Sequence, residues 1–166
     1  MIEVSQTLQE FNIERLAMVQ SGLATLLIWA VLNILLSCVA QAYSEGFKRQ
    51  FFLMNGYWNI VNMALAIFGL VSNPTIRELT LLKTVEAQFN LERLLLFNSG
   101  LDIGYVILGM FLIQKSLNLS GKSAQLKGYG FSIILQGSWL FVFDLTFFYF
   151  LYDHGLHLNR FFQQCI

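Results

Sequence analysis

Charge is what this chain most lacks. Only 12% of its residues are Asp, Glu, Lys or Arg, about half the roughly 25% of soluble domains. Proline is nearly absent as well. The single one, Pro74, lies between apolar runs, so no proline kink interrupts a span. That argues against the broken-helix designs of many transporters, which use Gly/Pro-interrupted spans. The two cysteines, Cys38 and Cys165, show no metal-type spacing, and four spans place them on opposite membrane faces. Neither an intrachain disulfide nor a cysteine metal site is expected. There is no basic block and the formal net charge is zero, which argues against a nucleic-acid partner. Also missing are a nucleophile elbow, a Walker loop, a zinc-protease helix and a Cys-x-x-Cys pair. No lysine sits mid-span to carry a Schiff base. Nothing names a cofactor, which stays unknown, and a membrane enzyme ranks last among the functions considered.

What is present is apolar. Hydrophobic residues make up 56% of the chain, sixteen of them Phe. Four runs reach the roughly 20 residues that cross a hydrocarbon core: residues 16–40, 51–72, 94–113 and 129–152. Runs of this length leave no polar outer face, so a soluble bundle is rejected. The first ten residues carry two acids and no base. The first run is long and lacks a small-residue cleavage site, so it is expected to remain as a helix.

The chain also repeats itself. Phe11-Asn12-Ile13-Glu14-Arg15-Leu16 returns as Phe89-Asn90-Leu91-Glu92-Arg93-Leu94, 78 positions later, and Ser21-Gly22-Leu23 returns as Ser99-Gly100-Leu101 at the same offset. A weaker echo, Asn55-Gly56-Tyr57-Trp58 against Gln136-Gly137-Ser138-Trp139, has offset 81, which calls for a longer loop in the second half. Self-similarity of this kind sets architecture. The expected fold is all-α: a polytopic membrane protein whose four transmembrane helices form two parallel helical-hairpin repeats. The chain is one membrane domain, 1–166, with repeat 1 at about 5–72, repeat 2 at about 74–152 and a C-terminal tail at 153–166. Asn73-Pro74 reads as a helix start leading through residues 75–93 into the third span. The two interspan loops carry Lys48, Arg49, Lys115, Lys122 and Lys127 against one acid, Glu45. Basic residues in short loops orient a membrane protein, which places these loops in the cytoplasm and both termini outside.

Polar residues inside the spans are the candidates for function, because an ionisable group mid-span costs roughly 2.5–3.5 kcal/mol. Asp102 lies about eight residues into the third span and Asp144 about eight residues before the end of the fourth. The two run in opposite directions, so both are expected about 12 Å from one membrane face. Asn98 and Tyr105 share the face of Asp102. Asn55, Asn59 and Asn62 form an amide stripe on the second span; Gln136 adds to the fourth, and Gln20, Ser21, Thr25 and Asn33 to the first. One reading is a site where two carboxyls hold a proton or a cation. The other is interhelical glue, worth about 0.6–2 kcal/mol per pair. The positions aligned with the two acids in the first repeat are Ala24 and Met63, so a duplicated scaffold has become asymmetric. Asp102, Asp144, Asn98 and Asn62 are expected to converge.

Glu14-Arg15 and Glu92-Arg93 sit at the mouth of spans one and three. Neighbouring residues on a helix do not face each other. The pairs are therefore read as interfacial anchors or as a cross-repeat brace, Glu14 to Arg93 and Glu92 to Arg15, with a gate or anion-binding ring as the alternative. Gly100, Gly104 and Gly109 have the small-residue spacing of closely packed helices. His154 and His157 share a face next to Asp153, but they are too few for a metal site and are read as interfacial; no metal is assigned.

Taken together, Trp29-x-x-x-Asn33, Met54-Asn55-x-x-Trp58-Asn59-x-x-Asn62, the stretch from Phe97 to Tyr105, Gly128-Tyr129-Gly130, Leu135-Gln136-Gly137 and Phe143-Asp144 resemble an uncharacterised family, of the domain-of-unknown-function kind, of small bacterial four-span membrane proteins. The likeness runs from about residue 11 to 151. It implies a four-helix membrane fold and supplies no catalytic residues. Two functions stay open: a small transporter or ligand-binding protein using the acid–amide cluster, and a non-catalytic subunit or assembly factor of a larger membrane complex. The expected company is the lipid bilayer, with a second copy or a larger complex in addition.

Overall fold

The computed structural model describes the backbone of residues 2–72 and 80–165, and the side chains of 6–72 and 80–158. Four helices account for nearly all of it: α1 (Ile2–Ala42), α2 (Gly46–Val71), α3 (Leu81–Ser116) and α4 (Ser123–Cys165). Each is long and apolar enough to cross a membrane. The all-α, four-span architecture read from the sequence is the observed one. The helix start read at Pro74 lies outside the described residues. Residues 153–165 are no separate tail, since α4 continues through them.

α1 and α2 are joined by three residues and α3 and α4 by six, which accounts for the change of repeat offset from 78 to 81. The shorter loop works because Gly46 opens α2 at φ +56°, a left-handed conformation that glycine adopts without steric cost. The end of the bundle holding these two loops is called the loop end below, and the other the terminus end.

α1 packs on α2, α3 packs on α4, and α2 and α4 lie against each other between them. The α3–α4 seam is the tightest. Gln88, Leu95, Asp102, Gly109 and Ser116 are buried at seven-residue intervals on α3, and Gly130, Gly137, Asp144, Leu151 and Leu158 on α4. A seven-residue repeat keeps one stripe of a helix facing its partner along the whole contact. Small residues let the two backbones touch: a Cβ on Gly109 would lie 2.7 Å from the Gly130 carbonyl oxygen, and one on Gly137 would lie 2.9 Å from the Asp102 carbonyl oxygen. Without a hydrophobic drive between helices in lipid, such close packing is what holds spans together. Gly100 and Gly104 do not take part; a Cβ on either would meet nothing within 4 Å. Of the expected glycine series, only Gly109 faces a helix.

α2 ends at Val71, short of its neighbours. Beyond its end, α1 contacts α3 and α4 instead. Leu8, Phe11 and Leu158 form a small apolar core there, with Leu81 and Val85 packed against it.

Candidate functional site

The polar residues of the interior fall into two layers. The first is nearer the loop end. Asn55, 1% exposed, donates from Nδ2 to Asn33 Oδ1 and to Ser37 Oγ, both at 3.0 Å, and its Oδ1 accepts from Gln136 Nε2 at 2.6 Å. Trp29 Nε1 donates to Gln136 Oε1 at 3.2 Å. Asn33 also donates to the Trp29 carbonyl. The layer joins α1, α2 and α4, and the indole of Trp29 stacks on Trp139 at 4.1 Å with the rings 3° from parallel. Every side chain in it has a partner, as buried amides require.

The second layer begins one turn closer to the terminus end and is built differently. Asn59 donates to the Asn55 carbonyl, but its Oδ1 has no partner within the protein. Trp58 Nε1, Asn62 Nδ2 and Asp102 Oδ2 are likewise buried without one. Trp58 lies edge-on to Tyr105 of α3, ring centroids 4.7 Å apart, so α2 reaches the Asp102 face of α3 at this level. An unpaired buried polar group costs roughly 1–3 kcal/mol. Four together are unusual for a native interior. Ser132 Oγ, on α4, and Gln88 Oε1, near the terminus end, are the other two such atoms among the described residues.

Both acids are buried, Asp102 at 3% and Asp144 at 7% exposure, and they lie within electrostatic reach of each other. Counting along the spans puts them at one depth, but the helix register staggers their backbones. Asp102 packs at the level of Gly137; Asp144 is one heptad further along α4, about 10 Å nearer the terminus end by helix rise. The register of the glycine seam sets this stagger. Asn62 and Asp144 occupy matching levels, since Asn55 is bonded to Gln136 and α2 and α4 run in parallel. Asn98 is only half-buried at the flank of this group; its neighbour Ser99 takes the inward position and bonds to the Leu95 carbonyl. Gln20, Ser21 and Thr25 are exposed, and Ser21 and Thr25 bond back to their own helix. These three belong to no polar interior.

At the terminus end the expected brace is not formed. Arg15, 7% exposed, donates from Nη1 to the Thr84 carbonyl at 2.8 Å and from Nη2 to Asn12 Oδ1. Asn12 in turn donates to Thr84 Oγ1 at 2.9 Å. Arg93, its counterpart in the repeat, is exposed. Glu92 accepts from Gln88 Nε2, which also reaches the Leu151 carbonyl. Glu14 lies 3.8 Å from His154 Nδ1. His154 is buried within the protein: it stacks on Phe11 at 4.1 Å, and its Nε2 approaches the Phe11 carbonyl at 3.2 Å. A carbonyl only accepts, so Nε2 is the protonated nitrogen there. No periodicity or spacing along the chain points to this contact, which joins residues 143 positions apart. No group of three or more metal-type side chains occurs among the described residues.

Residues 25–145 match the sequence model of a family described as "Family of unknown function (DUF6992)", and the chain belongs to that family. Neither the search of curated proteins nor that of solved structures gave a match. The matched stretch takes in both polar layers, including Asp102 and Asp144. It leaves out the Arg15 and His154 contacts at the terminus end.

Proposed function

We propose that this multi-pass membrane protein handles a small ion or a proton in the layer formed by Trp58, Asn59, Asn62, Asp102 and Asp144. The observation that carries the reading is the contrast in hydrogen bonding. Residues serving only as glue between helices find partners, as Asn55 and Gln136 do. The four buried atoms of Trp58, Asn59, Asn62 and Asp102 have none, and a second carboxyl, Asp144, lies within electrostatic reach of Asp102. A scaffold that keeps acids and unpaired donors in a membrane interior bears a cost of several kcal/mol, which a bound species offsets. Intramembrane ionisable residues mark ion and proton paths by default. In the orientation argued from loop lysines and arginines, the site opens nearer the outside of a bacterial cytoplasmic membrane.

The test is flux through purified protein in liposomes loaded with a pH-sensitive dye and challenged with a panel of monovalent cations. Wild type is compared with Asp102→Asn and Asp144→Asn. The reading expects flux in wild type that falls at least tenfold in each variant. Flux unchanged in both variants sinks it.

A second reading, a non-catalytic subunit of a larger membrane complex, draws on one feature. α1 and α4 part between their ring stacks, leaving an apolar groove of about 700 Å³ lined by Ala17, Ser21 and Thr25 on one side and Phe143, Phe147 and Phe150 on the other. Small residues on an exposed span face suit a neighbouring helix. Co-purification of a stoichiometric membrane partner, lost in Ser21→Leu, would favour it.

A further inference from the structure

We infer that the species held between Asp102 and Asp144 is a proton carried on water, and not an alkali-metal cation; the inference rests on reading this layer as a site. The first argument is the kind of the unpaired atoms. Asn59 Oδ1 and Asp102 Oδ2 accept hydrogen bonds, whereas Trp58 Nε1 and Asn62 Nδ2 only donate. Hard cations are ligated by oxygen. Two inward N–H groups offer such an ion nothing and repel it. Water accepts from the donors and donates to the acceptors, and buried waters typically make about three such bonds. Water therefore suits this mixed set of donors and acceptors, and an alkali-metal cation does not.

The second argument is the placement of the acids. Asp102 and Asp144 stand about one heptad apart on neighbouring antiparallel helices, and side chains lean toward the N-terminus of their own helix, so the two carboxyls lean toward each other along the seam. Like charges so placed repel, and a proton on either one removes the repulsion without the shell of oxygen ligands that a metal cation requires.

The third is the absence of a counter-charge. Asp102 is faced by Gly137 and, one heptad on, Asp144 of α4, by Tyr105 of its own helix, and by Trp58 and the amides of α2. Residues 16–40, 51–72, 94–113 and 129–152 contain no Lys, Arg or His, so no fixed cation neutralises the pair. A proton does. In the transfer, a hydronium ion at the terminus end breaks one of its O–H bonds and gives the proton to the Asp144 carboxylate, forming the carboxyl O–H bond and leaving water. That bond then breaks as the intervening waters pass a proton on and the Asp102 O–H forms. No electrons are transferred, and each water ends with the protons it began with. Towards the loop end the fully bonded Asn55–Gln136 layer offers no titratable group, so the pair exchanges with water at the terminus end.

Infrared difference spectra of the wild-type protein in lipid test this, taken in H2O and D2O while pH or cation concentration is changed one at a time. The expected result is a carboxylic-acid C=O band that grows as pH falls, shifts in D2O, and does not respond to Na⁺ or K⁺ at fixed pH. Asp102→Asn and Asp144→Asn should each remove about half of it, which assigns the band. A carboxyl signal that responds to Na⁺ or K⁺ at fixed pH overturns the proton assignment and leaves the site standing. A folded wild type whose carboxyl region responds to neither pH nor cation overturns the inference and the site reading together. The wild-type spectra decide between proton and cation even where a variant fails to fold.

Discussion

Two sets of polar residues in the same bundle obey different rules. Around Asn55, every amide has a partner, and the partners come from three helices. Around Asn62 and Asp102, buried donors and acceptors stand unpaired. Both layers use the same residue types on the same helix, spaced four and three apart, so composition does not separate them. The difference is geometric. At the level of Asn55, α1 and α4 bring Asn33, Ser37 and Gln136 within 3.0 Å. At the level of Asn62, the facing positions are Ala30, fully buried and apolar, and Phe143, which stacks on Trp139 and Phe147 instead. An amide stripe can therefore be glue at one end and a binding surface at the other.

That comparison is open to attack, beginning with the seam that fixes the level of both acids. Gly109→Val puts branched carbon against the Gly130 carbonyl and Ile134. Overpacking of this kind typically costs 1–3 kcal/mol or more. The variant should show the largest loss of thermal stability in detergent, and Gly104→Val, facing open space, should show almost none. Equal losses would mean that the seam does not carry the α3–α4 contact.

Next in size is Asn55→Ala. It strips partners from Asn33, Ser37 and Gln136 at once. Measured intramembrane hydrogen bonds average about 0.6 kcal/mol, so three lost together should cost about 2 kcal/mol in reversible unfolding in micelles. Trp29→Phe keeps the ring stack but removes one N–H donor from the same layer. It should cost about 0.5–1 kcal/mol. If Trp29→Phe proves as costly as Asn55→Ala, the layer is held by the indole and not by the amide hub.

Much of the fold is legible without coordinates. The low charge, the four runs and the 78-residue echo lead to two hairpins, and the shift to offset 81 is the three extra residues between α3 and α4. The faces are not legible from the repeat. Phe11, Asn12, Arg15 and Gly22 are buried, while Phe89, Asn90, Arg93 and Gly100 are exposed or lie at the rim; Ser21 is exposed and Ser99 buried. Near-identical sequence thus presents different faces, because α3 is turned to suit its glycine seam with α4 and α1 is not. In a membrane every face is apolar, so hydrophobic periodicity is silent about which one points inward. The signal that does carry this is the seven-residue recurrence of polar and small residues, Gln88-Asp102-Gly109-Ser116 on α3 and Gly130-Gly137-Asp144 on α4. The stagger of the two acids follows from that seam and not from their distance to the span ends. Contacts at the terminus end, such as Phe11 on His154, join opposite ends of the chain and leave no local trace.

The smallest expected effect is the most telling. Replacing a buried polar group that has partners is costly, whereas replacing one that has none removes a desolvation penalty. Unfolding of Asn62→Leu in micelles, beside Asn55→Ala and with flux measured on the same samples, therefore tests the central claim most directly. The account predicts stability within about 0.5 kcal/mol of wild type, or higher, together with flux lost. An Asn62→Leu protein destabilised as much as Asn55→Ala, with flux retained, would make the second layer glue like the first and contradict the account.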